Sequence, residues 1–222
     1  RLAMLAQTGF ARAIYPVHAH NFLPRIGFAY DPFGDGKTAI RGGFGLVYNT
    51  RERVLLLDLI ANPPVQYSPT IYYSTFNSLA QSSGTLFPSS GAGLDPNAKA
   101  SSVMNMSLGV QRDIGFKTVV DVSYVSTLGR HLFQMRNLNT LPMGTRFESW
   151  AADSTKSGSP LADTYLAPYR GYTTLNLEEY AGSSNYHSLQ MQANRRFAHG
   201  LQFGVNYTWA KSMDFASNDW GS

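Results

Sequence analysis

Few residues in this chain have the chemistry of a reactive centre, and their spacing argues against one. His18 and His20 would share one face of an extended segment and offer two imidazoles to a metal. A zinc site takes at least three protein ligands, and no third donor stands beside them. The chain contains no cysteine, which excludes thiolate metal sites and disulfides. Gly34, Gly36, Lys37 and Thr38 end like a phosphate-binding loop. The first glycine of that motif would fall at Asp31, and the residues after Thr38 alternate like a strand. No helix N-terminus would then face an anion, so the segment reads as a hairpin turn. His187 at a strand start and His199 in a turn read as surface residues. The histidines are scattered and no G-x-S-x-G turn occurs, which leaves no Ser-His-Asp arrangement. No catalytic, metal or cofactor residue is assigned, and the chain is not read as an enzyme. The sequons at Asn105 and Asn206 lie inside predicted strands and read as chance matches.

The chemistry that remains is binding. Trp150, Tyr165, Tyr169, Tyr172 and Tyr180 cluster in one long polar stretch and are candidate ligand contacts. Aromatic faces stack on sugars and apolar ligands, and they also pack loops onto themselves. In an earlier stretch, RERVLLLDLIA at residues 51–61 predicts a short amphipathic helix, packed on the base of its own loop or closing over a ligand.

The elements that would hold these stretches are strands. In LQFGVNYTWAK, residues 201–211, Leu201, Phe203, Val205, Tyr207 and Trp209 alternate with Gln202, Gly204, Asn206 and Thr208. Successive strand side chains point to opposite faces, so this segment has one oily and one wet face. Its length suits a tilted strand crossing a bilayer, which takes about 9 to 11 residues. The same alternation recurs at residues 25–31, 38–48, 103–113, 117–128 and 186–197. Short turns at 32–37, around Ile114 and Gly115, and at 198–200 join them into hairpins spanning 25–48, 103–128 and 186–211. Long Ser/Gly/Pro-rich stretches at 49–102 and 129–185 separate the hairpins. Short turns at one end and long loops at the other are the asymmetry of an outer-membrane barrel. The expected fold is all-β: an antiparallel, up-and-down transmembrane β-barrel segment, with the two long loops extracellular.

Other features agree. All 11 prolines fall outside the proposed strands, as the missing ladder N–H requires. Tyr30, Tyr48, Tyr124, Phe197, Tyr207 and Trp209 lie near strand ends on the oily face, where aromatic girdles sit. Arg41, Asp121, Gln190, Gln192 and Asn194 fall on the wet face and are candidate lumen-facing positions. Glycines inside strands fall mostly on that face, with Gly42 the exception. Aromatics make up 13% of the chain and charged residues only 14%, a balance suited to strands with apolar surroundings on one side. The net charge of +4 comes from scattered Lys and Arg without a run, so no nucleic-acid groove is indicated. No stretch is long and apolar enough for a membrane-spanning helix. The chain opens on Arg1 without a leader pattern and is read as an internal fragment. Six strands cannot close around a useful lumen, so further wall is expected outside residues 1–222.

Several stretches together resemble the β-barrel of TonB-dependent receptors, specifically the Oar-like branch of acidobacterial type. They are NFLPRIGFAYDPFGDGKTAIRGGFGLVYN (21–49), NPPVQ (62–66), MSLGVQRDI (106–114), DVSYVSTLGRHL (121–132), NLN (137–139) and SNYHSLQMQANRRFAHGLQFGVNYTWAKSMD (184–214). The resemblance implies a large barrel in the bacterial outer membrane with an N-terminal plug and an energy-coupling box. It implies uptake of a bulky nutrient, glycan-derived in one version, powered through the TonB system. It implies outer-membrane lipid as surroundings and no cofactor. The alternatives are an adhesion or envelope-structuring barrel without transport, and a secreted β-sandwich binding protein.

Overall fold

The computed structural model describes residues 21–49, 59–62, 75–81, 89–96 and 99–215, with the single positions 66, 69, 71 and 84. His18, His20 and most of the helix expected at 51–61 lie outside the described residues. Seven strands make one sheet: β1 Arg25–Tyr30, β2 Thr38–Tyr48, β3 Ser89–Leu94, β4 Ser102–Gly115, β5 Thr118–Asn137, β6 Tyr172–Ala198 and β7 Leu201–Asp214. The order is β1-β2-β4-β5-β6, and both β7 and β3 pair with β6. Every pairing is antiparallel except β3 with β6. Among the described residues no helix is long and apolar enough to cross a membrane.

Turn chemistry fixes the hairpins. In the β1–β2 turn the Asp31 carboxylate accepts from the backbone N–H groups of Phe33, Gly34 and Gly36 at 3.1, 3.0 and 2.7 Å. These bonds, the one from Gly36 foremost, hold the Asp31 carboxyl below the usual carboxylate range. Asp31 stands where a phosphate loop would have its first glycine, and its carboxylate fills the nest of amides that an anion would need. The β4–β5 turn centres on Phe116 and Lys117, at φ 52° and 56°, one step beyond the expected Ile114 and Gly115. Two successive left-handed residues make the tight turn whose twist suits a hairpin. Asp113 supports it by accepting from Gly115 N–H at 2.8 Å. His199 and Gly200 repeat that conformation between β6 and β7.

Register carries the sorting of side chains across the sheet. Tyr30, Ile40, Val110, Val122, Met191 and Tyr207 are successive partners on one face. Ala29, Arg41, Gly109, Ser123, Gln190 and Thr208 are successive partners on the other. A slip of one residue at any ladder would mix the two faces. Gly42 belongs to the oily face because the Phe28 ring lies across it, in the space a Cβ would take. The sheet is one layer thick: Val205, Tyr207 and Trp209 are 58, 60 and 69% exposed.

The strands outrun their sequence-read limits. β5 reaches Asn137 rather than 128, and β6 starts at Tyr172 rather than 186. The stretch between them shrinks to residues 138–171. Irregular register between Arg130 and Gln134, with His131 at φ 53°, breaks the alternation that would have marked the extension. Glu178 and Glu179 break it on β6. β3, sequence SSGAGL, reads as loop and becomes a strand through parallel pairing with the top of β6. Its other edge is occupied by one side chain: Asn62 donates to Ala92 O at 2.6 Å and accepts from Ala92 N–H at 2.8 Å.

Candidate functional site

Two surfaces carry the sequence-derived candidates. On the polar face, Asp121 is the register partner of Gln192, and Gln190 the partner of Ser123, so these groups form one patch over β5 and β6. Arg41 lies in the row of Gln190, with Gly109 and Ser123 between them. Asn194 lies against Gly204 on β7, its Oδ1 3.0 Å from where a Cβ would stand. All five share the face, and the middle of the sheet separates Arg41 from the other four. Small residues dominate between them: a Cβ on Gly109 would come 2.9 Å from Ser123 Cβ. A shallow cavity of about 320 Å³ opens on β1, β2, β4 and β5, lined by Arg25, Gly43, Gly45, Asn105 and Ser107 together with the apolar Ile26, Phe44, Met106 and Val125.

In-strand charges are not confined to this face. Arg112, Arg195 and Lys211 alternate with it and stand on the oily side near strand ends. The Arg112 guanidinium lies 5.8 Å from the Phe33 ring centroid, so its flat face is covered by an aromatic.

The second surface is segment 138–171 with the tops of β5 and β6. Two asparagines tie it down. The Asn139 amide, 4% exposed, donates to the carbonyls of Tyr169, Tyr172 and Thr173 at 3.2, 2.8 and 3.3 Å, and accepts from Tyr169 N–H at 2.8 Å. Asn137 Oδ1 accepts from Asn139 and Leu175 N–H at 2.9 and 3.0 Å. Arg146 and Asp163 brace the segment through an Nε–Oδ1 contact of 3.0 Å. Asp153 caps a turn by accepting from the Thr155 hydroxyl, which holds its carboxyl below the usual range. Trp150, Tyr165 and Tyr169 are exposed on this braced segment. Tyr172 and Tyr180 are strand residues of β6. Tyr180 is 7% exposed and its ring packs edge-on to Phe133 at 5.8 Å.

Sequence reading missed the two asparagine staples and Asn62. Buried amides bonded to backbone leave no periodic signature; only the N-x-N spacing at 137–139 marks them. Among the described residues no group of His, Asp and Glu is arranged to hold a metal.

A single-layer, two-faced antiparallel sheet with tight turns at one end and braced segments at the other defines a membrane wall of strands. The chain belongs to the outer membrane beta-barrel domain family, whose model matches residues 2–222. This is a family of membrane walls rather than enzymes, and it places the chain in the outer membrane. No curated protein matches the chain. Among solved structures, the outer membrane transporter YddB from Escherichia coli is similar at a TM-score of 0.49 and 12% identity, over 84% of this chain and 19% of that one. The chain thus spans about a fifth of that transporter's length.

Proposed function

We propose that residues 1–222 form part of the barrel of a TonB-dependent outer-membrane transporter of the Oar-like branch, which takes up a bulky, glycan-derived nutrient. The oily face meets lipid, the polar face lines the lumen, and the segments opposite the tight turns are extracellular. The observation that carries this reading is the sorting of faces across six strands in register.

The apolar band supports it further, because the band drifts. On β7 it runs from Leu201 to Trp209; on β4 it runs from Val110 to Met104, whose rows meet β7 at Tyr207 and Met213. The band therefore climbs by four to six residues over three strand steps. With about 3.3 Å per residue and about 4.8 Å between strands, that is a tilt of roughly 45° to the membrane normal, as spanning strands require. Among the described residues, β1 and β7 end the sheet with one side of each ladder unpaired. An open edge in hydrocarbon costs several kcal/mol per group, which calls for more strands and a larger barrel. Small lumen-side residues leave room for a plug. The braced segment with Trp150, Tyr165 and Tyr169 offers stacking faces for sugar rings.

Uptake of fluorescent oligosaccharides by cells carrying the full-length gene tests this. Uptake lost on gene deletion and on collapse of the proton gradient is the expected result. Surface binding that persists without the gradient, with no internal signal, would favour the adhesion reading, for which the exposed aromatics of 138–171 also speak.

A further inference from the structure

The outward face of β5, β6 and β7 is apolar over its middle but is crossed by one polar row. Ser126, His187 and Lys211 are successive register partners on the three strands. The next row toward the tight turns is Tyr124, Leu189 and Trp209. The polar row therefore sits just beyond two aromatics of the kind that mark the hydrocarbon–headgroup boundary.

The row is built, not merely polar. Tyr124 Oη lies 2.6 Å from His187 Nδ1, and Ser126 Oγ lies 3.1 Å from the same nitrogen. The Tyr124 and His187 rings stack at 6.1 Å with 22° between their planes. Ser126 is fully buried, so its hydroxyl anchors the imidazole from beneath. Both hydroxyls stand within hydrogen-bond distance of Nδ1 and so fix the orientation of the ring, with Nε2 on its opposite edge. Lys211, exposed and directly across the ladder from His187, adds an ammonium. Asn185 follows one row further out on the same face. Acidic residues are absent from the outward positions of 120–128, 185–197 and 201–213, and Asp214 alternates to the opposite face.

We infer that Lys211 and His187, with the imidazole held by Tyr124 and Ser126, bind the phosphate of a lipid headgroup in the outer leaflet. This rests on the orientation proposed above. An ammonium beside an imidazole held in one orientation suits a phosphate oxygen pair, and a site continuous with the lipid-facing band meets phosphate as part of a lipid. Trp209 and Leu189 would then lie under the first acyl carbons.

The test uses the full-length protein, delipidated in nonionic detergent. It is titrated with diphosphoryl lipid A, with the same lipid A freed of phosphate, and with inorganic phosphate. The expected result is saturable binding of the phosphorylated lipid, weakened about tenfold or more in the Lys211→Ala/His187→Ala protein and kept within about twofold in Lys211→Arg. Tyr124→Phe should weaken it about threefold by loosening the ring. Equal binding of the phosphate-free lipid, or no loss in the double variant, overturns the site. Inorganic phosphate binding as tightly as the lipid overturns the lipid assignment. Variants are compared by heat-modifiable gel mobility, and Lys211→Arg supplies the folded control. A Val205→Cys protein labelled from the lipid phase separates the two levels. If it labels and lipid A does not bind, only the headgroup site fails; if it labels solely from water, the wall reading itself fails.

Discussion

β6 lives in two environments, and the contrast explains how the molecule is made. Its lower half, paired with β7, buries no large apolar side chain and only the small Ser188: Met191 is exposed on one face and Gln192 on the other. Its upper half, paired with β5 and β3, carries buried Tyr180 and Glu178 and is bonded through Asn139 to segment 138–171. Both halves share the antiparallel ladder to β5, and they differ on the other side, where β7 pairs antiparallel below and β3 parallel above. Below, side chains are satisfied by what surrounds the sheet; above, they are satisfied by the protein. A wall can therefore be read from alternation alone, whereas its superstructure depends on particular contacts.

That contrast can be broken at chosen points. The largest effect is expected from Val205→Arg, which places a charge toward mid-membrane hydrocarbon and should cost about 2 to 4 kcal/mol of assembly. Loss of the heat-modifiable folded band of the full-length protein would report it. Asn139→Ala removes an amide serving four backbone groups, and should cost about 2 to 3 kcal/mol, confined to the upper region. Limited proteolysis should then cut within 138–171 while the folded band persists; a lost band would mean that wall and superstructure are one unit. Arg136→Ala removes an ion pair in which Arg136 is 59% and Glu179 12% exposed, and should leave the thermal transition of the folded band nearly unmoved, since Gln134 still donates to Glu179 at 2.6 Å. The smallest effect is expected from Asn206→Arg, which directs a charge to the polar face beside Gln192, at about 0 to 1 kcal/mol. Equal damage at 205 and 206 would contradict the assigned faces.

The hairpins were legible because alternation in 201–209 and 104–110 is unbroken and their turns carry Gly, Asp or His-Gly. Both faces followed, including the shared position of Asp121, Gln190, Gln192 and Asn194. The upper parts of β5 and β6 were hidden by the irregular register near Leu132, which resets the period, and by Glu178, whose burial no local pattern announces. β3 was hidden because Gly and Ser say little about strands unless a neighbour supplies the ladder. Tyr180 was legible as aromatic but not as interior, since its Phe133 partner lies 47 positions earlier, across the β5–β6 ladder. His187 read only as a surface residue at a strand start and Ser126 carried no signal; both became meaningful when register brought them beside Lys211.

The most direct test is a spin-label scan along residues 202–209 of the full-length protein in lipid bilayers, comparing collisions with oxygen and with a water-soluble nickel chelate. Labels at 203, 205, 207 and 209 should favour oxygen, and labels at 202, 204, 206 and 208 the chelate, with a period of two. Accessibility that is uniform, or that repeats with a helical period, would contradict a two-faced strand in the membrane.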